Sequence, residues 1–360
     1  MSTEVTILGA HGTVVALPFS SADQAYIAQS LANVINAGIL GGTLTPIDAV
    51  GPTAPVTTGP SELVIQKDGL QILTPGFKAV VVGDTSSVNL FGVGEDDQTV
   101  IGGNAGLTFN TGGGSGTIIA AGGANNIVTS SDSGGWFVST GAGDDNIQST
   151  SGNDTIEAGG GDNSIVLGSG NDYVGTSGND TIVMSSGSAT VAVQTGATAV
   201  VYGGSGSLML YSFASASTVF GGEGSATLYG GAGSFLQGGQ AGHNYLQAFG
   251  SSTLQGGGGN DTLMGSSGND TLIAGSGAGT LFGGAGADVF EFMKATGGGT
   301  DLVRDLSGTD SVTLVGYGAG EAGTAIANAV VAGGSTTITL SDSTKITFQG
   351  VTDPTKIHIS

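Results

Sequence analysis

The chain of 360 residues contains no cysteine. That excludes a disulfide scaffold and any cysteine–zinc site, and it leaves the redox compartment open. Basic residues are nearly as scarce: 6 Lys and Arg stand against 28 Asp and Glu, a formal net charge of −22. A chain of that sign repels phosphate at long range, so nucleic acid is excluded as a partner. No apolar run reaches the roughly 18 residues that a transmembrane segment needs. The opening stretch MSTEVTILGAHGTVVALPFS has no Lys or Arg before its apolar part and no small-residue cleavage site. It therefore does not read as a secretory signal peptide. Proline is absent from 76 to 353, as uninterrupted β-ladders require.

What the chain has in abundance is glycine, 71 residues. Collagen is excluded, because the glycines do not fall on every third position and only seven prolines occur. With 38% hydrophobic residues and a mean hydropathy of +0.24, the chain has enough apolar surface to fold. The composition is that of a soluble, acidic, repetitive protein.

Three regions separate along the chain. Residues 1–98 read as a small α+β N-terminal domain. Strands are expected at 5–8 and 13–17 around a His11-Gly12 turn. A helix follows over 22–37, capped by Ser20 or Ser21 and stopped by Gly38. Four of the seven prolines fall in 46–60, which reads as an extended linker. Strands are expected again near 63–66 and 78–82. Residues 293–360 carry strand-like segments at 300–306, 311–315, 335–340 and 345–348 and read as a β cap over the last open rung.

Residues 99–292 are a repeat. Phe109, Ile118, Ile127 and Trp136 stand nine apart, as do Ile147, Ile156, Ile165 and Val174. Val191 and Val200, then Val219 and Leu228, keep that step, and Leu263, Leu272, Leu281 and Phe290 resume it. Nine matches neither the helical period nor simple strand alternation. It implies a short strand plus a fixed turn, stacked as a solenoid. The fold class expected is an all-β solenoid, a parallel β-roll or β-helix, between the two terminal units.

Glycine-rich phrases precede the apolar marks: Gly141-Ala142-Gly143-Asp144-Asp145, Ser151-Gly152-Asn153-Asp154, Ser169-Gly170-Asn171-Asp172 and Ser177-Gly178-Asn179-Asp180. A second cluster holds Gly257-Gly258-Gly259-Asn260-Asp261, Gly268-Asn269-Asp270 and Gly283-Gly284-Ala285-Gly286-Ala287-Asp288. Glycine lets the turn curl its carbonyls inward, and Asp offers a hard oxygen to a cation that takes six to eight of them. Asp and Asn also favour turns for their own sake, but turn propensity does not require Asp at one place in register. These phrases resemble the G-G-x-G-x-D-x-U-x nonapeptide of the RTX (repeats-in-toxin) calcium-binding family. The resemblance covers about 141–182 and 257–290.

It implies a β-roll in which two nonapeptides make one coil, so that turns 18 residues apart stack. Asp154 lies 18 before Asp172, Asp270 lies 18 before Asp288, and Asp145 lies 18 before Asn163. Ca²⁺ is expected between those turns, with Asp180 and Asp261 as further ligands. The site at Asp261 is expected to be weaker or absent, since Gly279 stands 18 later. Between about 184 and 256 Asp disappears, and the coils there should be metal-free. Residues 99–140 stay open, because Asn125 replaces the ligand and Asp132 is out of place. The resemblance further implies secretion to the surface of a Gram-negative bacterium by a type I channel, through an uncleaved C-terminal signal.

An enzyme is disfavoured. The repeat holds no Lys or Arg and a single histidine, His243, and the first 98 residues lack an H-E-x-x-H. Two non-enzymatic readings remain. One is a structural protein that folds on Ca²⁺ and assembles into a homopolymeric layer, filament or matrix. The other is an adhesin or carbohydrate-binding module for a cell-surface polysaccharide, using outward residues such as Thr155, Thr181, Tyr173, Tyr202, Tyr211 and Tyr229.

Overall fold

The nine-residue step becomes half a coil of a parallel β-solenoid. The computed structural model describes residues 3–130, 134–213, 216–296 and 299–360, so Asp132 lies outside the described residues. The chain divides into two compact units, Met1–Gly187 and Ser188–Ser360.

In the first unit, successive strands alternate between two parallel sheets. One carries Gly116–Gly122, Trp136–Ala142, Thr155–Ala158 and Asn171–Thr176. The other carries Asn126–Thr129, Asn146–Ser151, Ser164–Ser169 and Asn179–Met184. Each coil places its apolar residue on that of the coil before it. Ile118, Val138, Ile156 and Val174 form one buried column, and Phe109, Ile127, Ile147, Ile165 and Ile182 form the other. Val138, not Trp136, therefore continues the first column; Trp136 sits level with Gly116 instead. The longer turn before this strand shifts the step by two, which preserves the inward face.

The parallel ladders begin before residue 99. Ser61–Ile65 pairs with Phe77–Val82, which pairs with Gln98–Gly102. The proline-rich segment is also built in. Thr45–Asp48 pairs with Ser61–Ile65 despite Pro46, as an edge strand allows, and Thr53 bridges Ile72. Composition had suggested a linker, but here the prolines occupy turns and an edge.

The expected hairpin and helix are present as Thr3–Leu8, Val14–Phe19 and Ala22–Leu40. Ser21 caps the helix by accepting from the Gln24 N–H at 3.3 Å. The helix passes through Gly38 rather than stopping there. The Gly38 carbonyl accepts from the N–H groups of Thr43 and Leu44, so it anchors the chain reversal beyond the C-terminus. Ala25, Ala28, Ala32 and Ile35 pack with Val5, Ile7, Val15, Leu17 and Phe19 onto outward side chains of the early coils, among them Val64, Val81, Ile101 and Ile119. The N-terminal elements thus cover a sheet face.

In the second unit, Val191, Leu210, Leu228, Leu246, Leu263, Leu281 and Val303 form one core column. Val201, Val219, Leu236, Leu254, Leu272, Phe290 and Val312 form the other. Val201 takes the place expected for Val200, which faces outward because the intervening turn slips the register by one. The ladders also run past residue 293. Thr300–Val303 and Ser311–Val315 add two more parallel strands. The antiparallel cap is smaller than expected: Val330–Ala332, Ser335–Thr339 and Lys345–Gln349, the last paired in parallel with Thr300–Val303. Among the described residues no helix is long and apolar enough to cross a membrane.

Candidate metal sites

The Asp of each phrase stands where a turn enters a strand, Asp145, Asp154, Asp270 and Asp288 just before it and Asp172, Asp180 and Asp261 at its second residue, with the side chain buried between one coil and the next. Asp145, Asp154, Asp172, Asp180, Asp261, Asp270 and Asp288 are all buried, none more than 4% exposed. Such burial of a carboxylate requires partners. The backbone supplies one of them. Asp172 Oδ1 accepts from the Asp154 N–H at 2.9 Å, and Asp288 Oδ1 from the Asp270 N–H at 2.8 Å. Asn163 Oδ1 accepts from the Asp145 N–H, and Asp180 Oδ1 from the Asn163 N–H, both at 2.9 Å. The 18-residue pairs expected from the spacing are therefore neighbours in space, joined through backbone amides. Asp261 lies level with Gly279, also as expected.

The preceding residue reaches the other way. Asn153 Oδ1 accepts from the Asn171 N–H at 2.8 Å, and Asn269 Oδ1 from the Ala287 N–H at 2.9 Å. An Asn-Asp pair thus ties its coil both forward and backward.

The second carboxylate oxygen behaves differently. Oδ2 of Asp145, Asp172, Asp180, Asp270 and Asp288 is buried and has no hydrogen-bond partner among the described residues. In the second unit it abuts the glycine five residues earlier. A Cβ added at Gly256, Gly265 or Gly283 would collide with Oδ2 of Asp261, Asp270 or Asp288. Glycine two residues before the Asp serves the turn itself. Gly170 has φ +130°, and a side chain there would overlap the Gly152 carbonyl of the coil below. An acceptor-only oxygen, sealed from water and cradled by glycines, suits a hard cation that also takes backbone carbonyls. Among the described residues no three acidic or histidine side chains converge on one point. The carboxylates are strung out singly along the turns, so a cation here would draw most of its ligands from the backbone.

Asp154 differs. Both its oxygens are used, one by the Trp136 N–H and the other by Thr129 Oγ1 at 2.9 Å. Beyond the repeat, Asp310 is similarly saturated by the N–H groups of Asp288 and Ser307, and Asp305 by those of Gly283 and Gly284. Asp301 accepts from the Gly279 N–H at 2.9 Å and so continues the Asp261 column. Asn244 does the same on the other side, accepting from Ala226 and donating to Asp261 Oδ1. The sequence reading missed these three continuations, Asn244, Asp301 and Asp310. The signal lay in spacing: Asp310 and Asp301 stand 22, not 18, after Asp288 and Gly279.

Burial raises these carboxyls above the usual range. Asp172 and Asp180 are pushed up to about 6, and Asp270 and Asp301 to about 7, with neighbouring carboxylates adding to the effect. Asp145, Asp261 and Asp288 move in the same direction. The folded chain without metal therefore holds protons that the unfolded chain releases near pH 4. This stability is fully present below pH 4 and is lost as pH rises through 6 and 7. In chelator, with an excluded osmolyte to hold the fold, melting temperature is expected to fall from pH 5 to pH 8, and saturating Ca²⁺ should suppress that fall. A chelated melting temperature that is flat or rises with pH would contradict the assignment of these burial shifts.

Coils without Asp use other contacts. Tyr211 stacks on Tyr229 with ring centroids 5.5 Å apart and planes 4° apart, and Tyr202 stacks on Phe220 at 5.3 Å and 8°. Both pairs lie level across adjacent strands. Replacing Tyr211 and Tyr229 together with Ala should cost about 1–3 kcal/mol, from lost stacking and area. Denaturant unfolding in saturating Ca²⁺ checks this; an unchanged midpoint would remove the stack as a stabiliser.

The family model for the RTX calcium-binding nonapeptide repeat matches four copies, over residues 139–174, 214–234 and 255–290. Those segments match RTX calcium-binding repeats, and they lie in a chain that folds as a parallel β-solenoid. The match includes Asp145, Asp154, Asn163 and Asp172, and again Asp261, Asp270 and Asp288; Asp180 lies outside it. It also takes in part of the Asp-poor stretch, where glycines persist without the acid. No curated protein matches the chain.

Proposed function

We propose that the protein is a secreted, calcium-binding structural protein that folds on Ca²⁺ and self-assembles into an extracellular layer, filament or matrix. The observation that carries this reading is the buried Oδ2 atoms of Asp172, Asp270 and Asp288, within segments that match a calcium-binding repeat. In this reading Asp145, Asp154, Asn163, Asp172, Asp180, Asp261, Asp270 and Asp288 line the turns that hold the ions. Bound Ca²⁺ supplies positive charge between coils and so neutralises carboxylates that a chain of −22 otherwise crowds together. Asp154 contributes mainly through its hydrogen bonds, and Asp301 extends the second unit's column.

Extracellular calcium modules work at about 10⁻⁴–10⁻³ M. Such sites stay empty in a cytosol and fill outside, which makes binding energy available for folding at the right place. RTX-repeat proteins are typically secreted by Gram-negative type I systems, and we propose the same route here. We propose no catalytic role, since the repeat offers no basic residue and its one histidine, His243, is an exposed turn residue.

Electron microscopy and light scattering with and without millimolar Ca²⁺ test the proposal. Ordered assemblies only in calcium are expected. A lasting monomer in calcium would overturn the assembly half, and a fully folded protein in chelator at pH 8 would overturn the calcium half.

A further inference from the structure

We propose that a trough on the second unit binds a neutral oligosaccharide chain. The trough has a volume of about 410 Å³ and crosses four successive coils. His243 and Tyr245 stand at one end and Thr300 at the other, with Asn260, Thr262 and Thr280 between them. Tyr245, Thr262, Thr280 and Leu302 are level across neighbouring strands. Hydroxyl-bearing side chains therefore recur at the strand spacing of about 4.8 Å, close to the length of one pyranose ring.

The hollow exists because the outward side chain at Ala278 is small; Gly279 faces the interior, where an added Cβ would meet Asp301 Oδ1 and Leu281. Ala278 and Gly279 stand level with Asn260 and Asp261 of the preceding coil. The lining contains no Lys or Arg, so no permanent cation there pairs with a carboxylate, phosphate or sulfate. Its one acid, Asp261, is buried, and its Oδ1 is occupied by the Asn244 backbone and side-chain N–H groups. An anionic chain would be repelled and a cationic one would find no exposed carboxylate. Neutral hydroxyls, the Asn260 amide and the His243 ring remain, each able to donate and accept.

Tyr245 supplies the aromatic element. Tyr211 and Tyr229 stack nearly parallel and cover each other's faces, whereas Tyr245 is tilted 51° from Tyr229 at 5.7 Å. Its hydroxyl lies 3.0 Å from Gln247 Oε1 and 3.1 Å from Met264 Sδ, which holds the ring in position. A ring face beside a row of hydroxyls is the arrangement that takes the C–H face of a sugar. A peptide adding as a strand finds no opening, because the strands here are paired on both sides.

The test uses the full chain loaded with Ca²⁺ and titrates cellohexaose, maltohexaose, mannohexaose and chitohexaose by calorimetry, with hexagalacturonate as the anionic comparator. At least one neutral hexaose is expected to bind with a millimolar or tighter Kd, and hexagalacturonate is not. Ala278→Trp, which fills the trough from an exposed position, should weaken binding at least about tenfold while leaving the calcium-dependent melting temperature unchanged. Thr280→Val should weaken it by a smaller factor, and serves if the tryptophan variant does not fold. Tyr202→Ala, on the other sheet, should leave binding unchanged. Absence of binding to every neutral hexaose, tighter binding of hexagalacturonate, or binding indifferent to both trough variants would overturn the proposal. The melting readout in calcium is separate, so failure here leaves the calcium reading intact.

Discussion

Asparagine at position 270 is expected to stabilise the calcium-free protein and to weaken the calcium-loaded one. Asp270→Asn keeps an Oδ1 that accepts from the Ser252 N–H, a bond of 2.8 Å. It removes a buried charge that stands near Asp288 and whose other oxygen has no partner among the described residues. Without metal, that removal should gain about 1–3 kcal/mol at pH 7.5. With saturating Ca²⁺ the sign reverses, because a charged ligand is lost. Alanine behaves differently. Asp270→Ala leaves the Ser252 N–H unsatisfied and should cost about 1–3 kcal/mol under both conditions. Denaturant unfolding, with an excluded osmolyte to hold the fold in chelator, separates the three proteins. If Asn and Ala lose stability equally in chelator and in calcium, the side chain acts only as a hydrogen-bond acceptor. Asp172→Asn should repeat the pattern in the first unit, where Asp172 Oδ2 is in the same situation.

Chelation at pH 8 should then unfold the wild-type chain as a whole. With 28 acidic residues against 6 basic ones, ionised carboxyls on successive coils repel, and few cations offset them. The β signal in circular dichroism should disappear, and the radius of gyration should rise toward about 70 Å, the value for an unfolded chain of this length. Returning Ca²⁺ should restore the fold. Mg²⁺ should not, since it demands near-ideal octahedral geometry and sheds water reluctantly. Acidification to pH 5 in chelator should restore much of the fold by protonating Asp172, Asp180, Asp270 and Asp301, whose raised pKa values fall near 6 and 7. Equal rescue by Mg²⁺ would point to screening of charge instead of coordination.

The repeat and its chemistry were legible because both obey a period. Ile147, Ile156, Ile165 and Val174 stand nine apart and occupy core columns, and the 18-residue offsets put Asp154 beside Asp172 and Asp270 beside Asp288. What escaped was whatever broke the count. A longer turn moved the core position from 136 to 138, and a slip moved another from 200 to 201. The 22-residue spacing hid Asp301 and Asp310. The early coils at Ser61–Ile65 and Phe77–Val82 carry no glycine-Asp phrase, so only their backbone pairing reveals them. The role of the Asn before Asp154 and before Asp270 was also hidden. Its bond to the following coil, such as Asn153 to Asn171, depends on a stacking that local turn propensity does not encode.

The central claim is that cations sit against the buried Oδ2 atoms of the turns. A crystal structure determined in millimolar calcium, with anomalous scattering to identify the ions, tests it most directly. The account predicts Ca²⁺ at about 2.3–2.6 Å from Oδ2 of Asp172, Asp270 and Asp288. Ions found only at exposed carboxylates such as Asp144 and Asp162, with the buried oxygens left to water or to protons, would contradict it.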